Sequence, residues 1–358
     1  MSNANTPKLL FPDYIRVAAT LAMLMLHCSG DVLYQFLQPG WRVDHWWVGN
    51  VLDGATRWCV PVFVMLSGAL LLPNPKNEEI GTFLSKRLGR VVIPYIFWIA
   101  VYMCYTYRYS IIGWKPVWMP GVWGEIFFGV IYYHLWFVPM IVGLYLMTPT
   151  FRIVVKHGTR ADIEYFITFW FCLVTISLHF NQFIIVKYIG WMAYIGFFVM
   201  GHYITQYRME GHKWIYRLGW ASVVFTIVAT YLLSRWYSEK FDEAWYLYLT
   251  PNCIFVSFAL FLWFKEQNWQ ILVEKFPRFH RLILWFSSMS YGVYLGHILI
   301  LDCLKNGYFG FWATSTHFFW WDLHPIIAIP LVFLTTVILT SVLITALSKI
   351  PVLGKWVG

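Results

Sequence analysis

The sequence is a succession of apolar runs of around twenty residues, parted by short loops that hold most of the charge. About twenty residues is the helix length that a hydrocarbon core of about 30 Å requires. In lipid, every backbone N–H and C=O must be paired within the protein, and a helix does this for itself. Ten spans are expected, at 12–34, 48–72, 91–109, 131–151, 163–181, 184–206, 214–235, 248–265, 282–303 and 325–348. The fifth and sixth are separated only by a short turn near Asn181. Composition agrees, since 12% of the residues are charged against about 25% in soluble domains. The expected fold class is an all-α integral membrane protein with about ten transmembrane helices. It is read as a single domain over 1–358, with no appended soluble domain.

A net charge of +9 would suit nucleic acid if it were gathered on one surface. Here the charge follows the loops. With the N-terminus inside, 18 of the 26 Lys and Arg fall on the inner side and 8 on the outer. The positive-inside rule then predicts both termini to be cytoplasmic and excludes nucleic acid as the partner; membrane lipid is the surround. The setting is a multi-pass protein of the cytoplasmic (inner) membrane. The apolar run of the first span contains Arg16, and no small-residue cleavage site follows, so no cleavable signal is read there. The six cysteines lie in or at the ends of apolar segments without CxxC or Cys/His ligand spacing, so neither a disulfide frame nor a metal site is expected.

The first span carries what a bare anchor would not. Arg16 and His27 stand eleven residues apart. At 100° per residue this is about three turns, so both project from one face, about 16 Å apart along the axis. Ionisable groups at membrane depth are costly and point to function. His27 is the candidate general base, because imidazole titrates near neutrality and can take and return a hydroxyl proton. Asp13, three residues before Arg16, is its supporting partner. Arg87 and Arg90 are also three apart and share a face if the third helix begins before them. Guanidinium forks at similar depth suit phosphates, and Arg16 would complete a three-arginine pocket. Lys86 reads as ordinary anchoring.

Other polar groups are embedded deeper. His134 and Trp136 open the fourth span at its outer end, and Tyr294 and His297 lie in the ninth. His297 is about fifteen residues from the inner end of its span and His27 about fourteen from its own, so they share a depth. His202 reads as structural, Asp53 and Arg57 as an intrahelical pair, and Ser67-Gly68 as a site of close helix packing or ligand access. The outer segments 108–130 and 304–324 are aromatic, with Trp114, Trp118 and Trp123 in one and Trp312, Trp320 and Trp321 in the other. They suit the interface, and stacked aromatic rings also suit sugars. The sequence contains no GxSxG, Walker loop or HExxH.

These residues resemble a known family. Arg16, ten residues and then His27 resemble the Arg-x10-His signature of membrane-bound acyltransferase family 3, and Arg87-Leu88-Gly89-Arg90 resembles its Arg-x-x-Arg motif. The segments 62–68, 133–137 and 290–297 are similar to other recurring stretches of that family. Asp242-Glu243-Ala244-Trp245-Tyr246-Leu247-Tyr248 is similar to a stretch of its members that O-acetylate surface polysaccharide, including the enterobacterial common antigen type. The resemblance implies a cytoplasmic acyl-CoA donor, acetyl-CoA with succinyl-CoA as the other candidate, and a hydroxyl acceptor on a glycan or lipid-linked glycan of a surface or exopolysaccharide. It implies that His27 is catalytic with Asp13 in support, that Arg16, Arg87 and Arg90 bind the donor, and that His134, Trp136, Tyr294 and His297 contact substrate. Transient acylation of His27 and the oligomeric state stay open. The rival reading is a flippase of a lipid-linked glycan, whose hallmark would be paired broken helices in two halves; the sequence shows no such halves.

Overall fold

A computed structural model describes residues 9–73, 78–113, 131–180, 190–209, 211, 213–238, 240–351 and 353–358. Trp114, Trp118 and Trp123, the turn near Asn181 and the start of the expected sixth span lie outside the described residues. The long helices are α1 (Phe11–Ser29), α2 (Val43–Gly54), α3 (Cys59–Leu71), α4 (Ile80–Thr106), α5 (Phe137–His157) and α6 (Arg160–Phe180). They continue as α7 (Ile195–Gln206), α8 (Lys213–Leu233), α9 (Pro251–Glu266), α10 (Pro277–Lys305) and α11 (Pro325–Ser348). Among the described residues, nine helical stretches are long and apolar enough to cross a membrane. The all-α membrane class therefore holds, with the sixth expected span described only from residue 190 onward.

Several boundaries differ from the sequence reading for identifiable reasons. The second span is two helices, α2 and α3, joined by the turn 55–58. Thr56 Oγ1 and Trp58 Nε1 donate to the carbonyls of Leu52 (2.8 Å) and Ala55 (2.8 Å), so side chains serve carbonyls that a continuous helix would pair internally. Asp53 and Arg57 do pair, but across this turn rather than within one helix, and the Arg57 guanidinium lies 4.2 Å over the Tyr246 ring. The third helix begins at Ile80 and takes in the whole Phe83–Arg90 stretch. Proline opens α9, α10 and α11, where its missing N–H costs no helical bond. The outer segment after α10 holds a small antiparallel sheet, β1 (Trp312–Thr314), β2 (His317–Phe319) and β3 (Trp321–Asp322), with Ala313 opposite Phe318. The sequence reading had no strand there.

Packing follows the rules of lipid. On α11 the face formed by Leu334, Ile338 and Val342 is exposed, while Thr336 and Thr340 are fully buried. Close approach depends on small residues. A Cβ added at Gly68 on α3 would sit 1.7 Å from the Phe198 carbonyl oxygen, and one at Gly201 on α7 would sit 1.9 Å from that of Met65. These two glycines let α3 and α7 cross in backbone contact, where dispersion has no hydrophobic help from lipid. Ser67-Gly68 is thus a packing site, with Ser67 turned to the cavity described below.

Candidate functional site

Three helices bring the arginines together. Arg16 Nη1 donates to Asp13 Oδ1 at 3.1 Å and to Ser287 Oγ of α10 at 2.8 Å, and Ser287 donates to the same carboxylate oxygen at 2.7 Å. This triad pins α1 to α10 and fixes the direction of the guanidinium. Between Asp13 and Arg16 in sequence, the Tyr14 ring stacks on Trp269 at 4.3 Å and its hydroxyl meets His280 Nδ1 at 2.8 Å. Because α4 starts at Ile80, Arg87 and Arg90 share a helical face, and both reach the same cavity as Arg16. Lys86 turns away to Glu78 (2.9 Å), and that hydrogen bond holds the Glu78 carboxyl below its ordinary value.

The cavity has a volume of about 560 Å³. Its mouth is cationic: Arg16, Arg87, Arg90 and Lys355 line it, and among the described residues no aspartate or glutamate side chain does. Farther in, the wall becomes Tyr145, Phe63, Phe137, Ile141, Met23 and Tyr294. A charged mouth over an apolar throat suits a ligand with an anionic head and a lean chain.

A cluster of imidazoles lies beyond the throat. Tyr294 on the cavity wall has its ring 5.7 Å from His134 and 6.3 Å from His297. The His134 and His297 rings are 5.3 Å apart, and His297 is 5.1 Å from His27. The cluster spans α1, α10 and the turn Tyr133–Trp136, which supplies Tyr133 as well as His134. Hydrogen bonds fix two tautomers. His297 Nδ1 lies 2.7 Å from the Tyr294 carbonyl, which can only accept, so the proton is on Nδ1 and Nε2 of the neutral ring is bare. His134 Nε2 lies 3.3 Å from the Leu295 carbonyl, which leaves Nδ1 bare. Both bare nitrogens are buried without a partner. His27 is half-buried, and it touches Tyr133, which is 56% exposed, so the ring has a route to the surface on that side.

The expectations fare unevenly. Arg16, Arg87, Arg90 and Tyr294 share one cavity. His27, His134 and His297 form one cluster adjoining it, with Tyr294 as the common wall. Met23, one turn before His27, lines the cavity while His27 does not, so the throat ends one turn short of the base. Asp13 belongs with Arg16; it stands fourteen residues from His27, about 21 Å along the helix, too far to join chemistry at that ring. Trp136 turns from the cavity to stack on Tyr248 (6.0 Å), and its neighbour Phe137 takes the place on the wall. His134 and His297 are 3% and 0% exposed, so direct substrate contact needs Tyr294 to move. His202 is buried on α7 and lies outside both the cavity lining and the imidazole cluster.

The sequence reading missed Ser287, Tyr145 and Lys355, none of which sits in a telling local pattern. It also missed Asp44, His45 and His324 at the other end of the bundle, whose ligand atoms lie within 4.8 Å of one another. There Arg42 already grips both Asp44 oxygens, at 3.2 and 2.7 Å, and His324 Nε2 reaches the same carboxylate at 3.2 Å. Two of the three are adjacent in sequence and the third is 279 residues away, so spacing could not reveal them.

Against known proteins, residues 9–345 match a family model described as an acyltransferase domain. No curated protein and no solved structure matches the chain.

Proposed function

The chain belongs to the acyltransferase 3 family, and on that premise we propose that it carries an acyl group, acetyl first among candidates, from acyl-CoA to a hydroxyl of a surface or exopolysaccharide glycan. One observation carries the reading: a cationic mouth and an apolar throat end against Tyr294, which backs onto the three-histidine cluster. The arginine end faces the cytoplasm, in keeping with the Lys and Arg surplus on that side. The nucleotide phosphates of the donor lie at Arg16, Arg87 and Arg90, where planar forks give charge-assisted contacts. The acyl-bearing arm runs along the throat toward Met23 and Tyr294. The acceptor hydroxyl, on a glycan free or lipid-linked, comes from the side where Tyr133 is exposed.

In this scheme His27 takes the hydroxyl proton as the oxygen attacks the thioester carbonyl carbon. The C–O bond forms, the carbonyl oxygen becomes an oxyanion, and collapse of the tetrahedral species breaks the C–S bond. The imidazolium returns its proton to the leaving thiolate. Neutral rings of His134 and His297 shield the reacting atoms from water, which strengthens each hydrogen bond to the developing charge. Asp13 and Ser287 hold Arg16 and take no part in proton transfer.

The experiment is direct. Purified protein mixed with acetyl-CoA or succinyl-CoA and a glycan acceptor is expected to release free CoA thiol, with a matching mass gain on the glycan. Movement of the glycan across a bilayer without thiol release would replace this reading with the flippase.

A further inference from the structure

The segment Leu353–Gly358 folds back into the helical bundle and shares a cavity with the arginines. It leaves α11 through a 3₁₀ turn, with Gly354 N donating to the Ile350 carbonyl at 2.8 Å and Trp356 N to the Leu353 carbonyl at 2.8 Å. Val357 is fully buried, and the Trp98 indole of α4 donates to its carbonyl at 3.2 Å. The seat depends on Gly292 of α10: a Cβ there would lie 3.0 Å from the Val357 carbonyl oxygen and 2.9 Å from Ile344. Gly358 presses from the other side, with φ +112 and a notional Cβ 2.9 Å from the Gly292 nitrogen. Buried valine, indole hydrogen bond and glycine seat together describe a docked strap. Gly354, Lys355 and Gly358 all line the cavity that holds Arg16, Arg87 and Arg90.

Lys355 is exposed, and no hydrogen bond or ion pair engages it among the described residues. Arg87 and Arg90 likewise have no carboxylate partner there. Asp13 serves Arg16, while no aspartate or glutamate side chain lines the cavity beside Arg87, Arg90 and Lys355 among the described residues, so an anion entering there meets a net cationic wall. We propose that the docked strap forms one wall of the donor pocket and that Lys355 binds a phosphate of the donor nucleotide as its fourth cation. This rests on the donor-pocket reading above and adds to it a residue and an element that the motifs do not contain. A lysine suits this place: it is a point charge on a flexible stem and follows a phosphate that the arginine forks orient. Trp98 is then a positioning residue, acting through Val357.

The test measures CoA binding to detergent-purified protein without anionic lipid, and initial rates against donor concentration. Lys355→Gln is expected to raise the CoA Kd about tenfold, with the donor KM rising more than kcat falls. Lys355→Arg should recover most of the loss, and Trp98→Phe should raise KM in the same direction by less. Arg87→Ala serves as the reference. If Arg87→Ala weakens CoA and Lys355→Gln does not, the strap proposal fails while the donor pocket stands. If neither changes CoA binding, or the unaltered protein binds none, the donor pocket itself fails and takes this proposal with it. If the Lys355 effect appears only in bilayers containing anionic lipid, the lysine serves a headgroup and the proposal is overturned. Melting curves matching the parent show that Lys355→Gln is folded, and Lys355→Arg supplies the reading if it is not.

Discussion

His27 and His297 meet across the seam between α1 and α10 with ring centroids 5.1 Å apart and planes tilted by 37°. The pair is asymmetric. His297 has its Nδ1 proton committed to the Tyr294 carbonyl and is fully buried, while His27 is half-buried and reaches toward Tyr133. His297 is therefore held by the protein, and His27 is the ring an incoming hydroxyl can address. His27→Ala is expected to cut acyl transfer by about 10²–10⁴-fold, the range a positioned general base contributes. CoA affinity and expression should hold, because the arginines lie at the other end of the helix. The rate of thiol release checks this, and full activity in the variant would remove His27 from the chemistry.

The arginine mouth makes a separable prediction. Arg87→Ala with Arg90→Ala should weaken CoA binding by at least tenfold while leaving the melting temperature close to the parent, since neither side chain is buried or ion-paired among the described residues. Binding should also lose part of its salt dependence, because fewer phosphate contacts release fewer screening ions. Titration of CoA at two ionic strengths measures both effects. An unchanged Kd at low salt would rule out phosphates at this mouth.

How far the sequence could carry the reader depends on what periodicity encodes. A 3.6-residue repeat gives depth along an axis and the face of one helix, so the Arg87/Arg90 face and the matched depths of His27 and His297 were open to reasoning. It does not say how helices are turned toward one another. Trp136 and Phe137 are consecutive and equally aromatic, yet only Phe137 reaches the cavity. Ser287 is one of several serines on α10 and earns its place only through a bond to Arg16, 271 residues away. Lys355 drew no notice as a site residue because nothing local shows that Val357 is seated on Gly292. The break between α2 and α3 was hidden because both flanks are apolar, and its stabilising bonds come from Thr56 and Trp58 side chains.

The α3–α7 crossing gives a prediction about stability alone. Gly201→Ala places a methyl where the Met65 carbonyl oxygen would be 1.9 Å away, so the helices must part. Overpacking of this kind costs about 1–3 kcal/mol, and Gly68→Ala on the facing helix should behave alike. Melting of the purified protein in detergent should drop by several degrees for each, with the CoA Kd little changed in the surviving fold. Melting equal to the parent would show that this crossing is not held by backbone contact.

Met23 offers the sharpest separation of donor binding from chemistry. It lines the throat on the face of α1 that carries His27 one turn further on, and it is 3% exposed. A thioester arriving from the arginine mouth must pass it or push it aside, and an unbranched thioether yields readily. Met23→Phe puts a stiff ring in that place. The nucleotide end of CoA should still bind with near-parent affinity, because the mouth is untouched, while transfer should fall by at least tenfold. Met23→Ala should keep transfer and relax the limit on acyl length, which competing acetyl-CoA and longer acyl-CoA donors would reveal as a changed product ratio. If Met23→Phe transfers at the parent rate, the donor does not reach His27 through this throat.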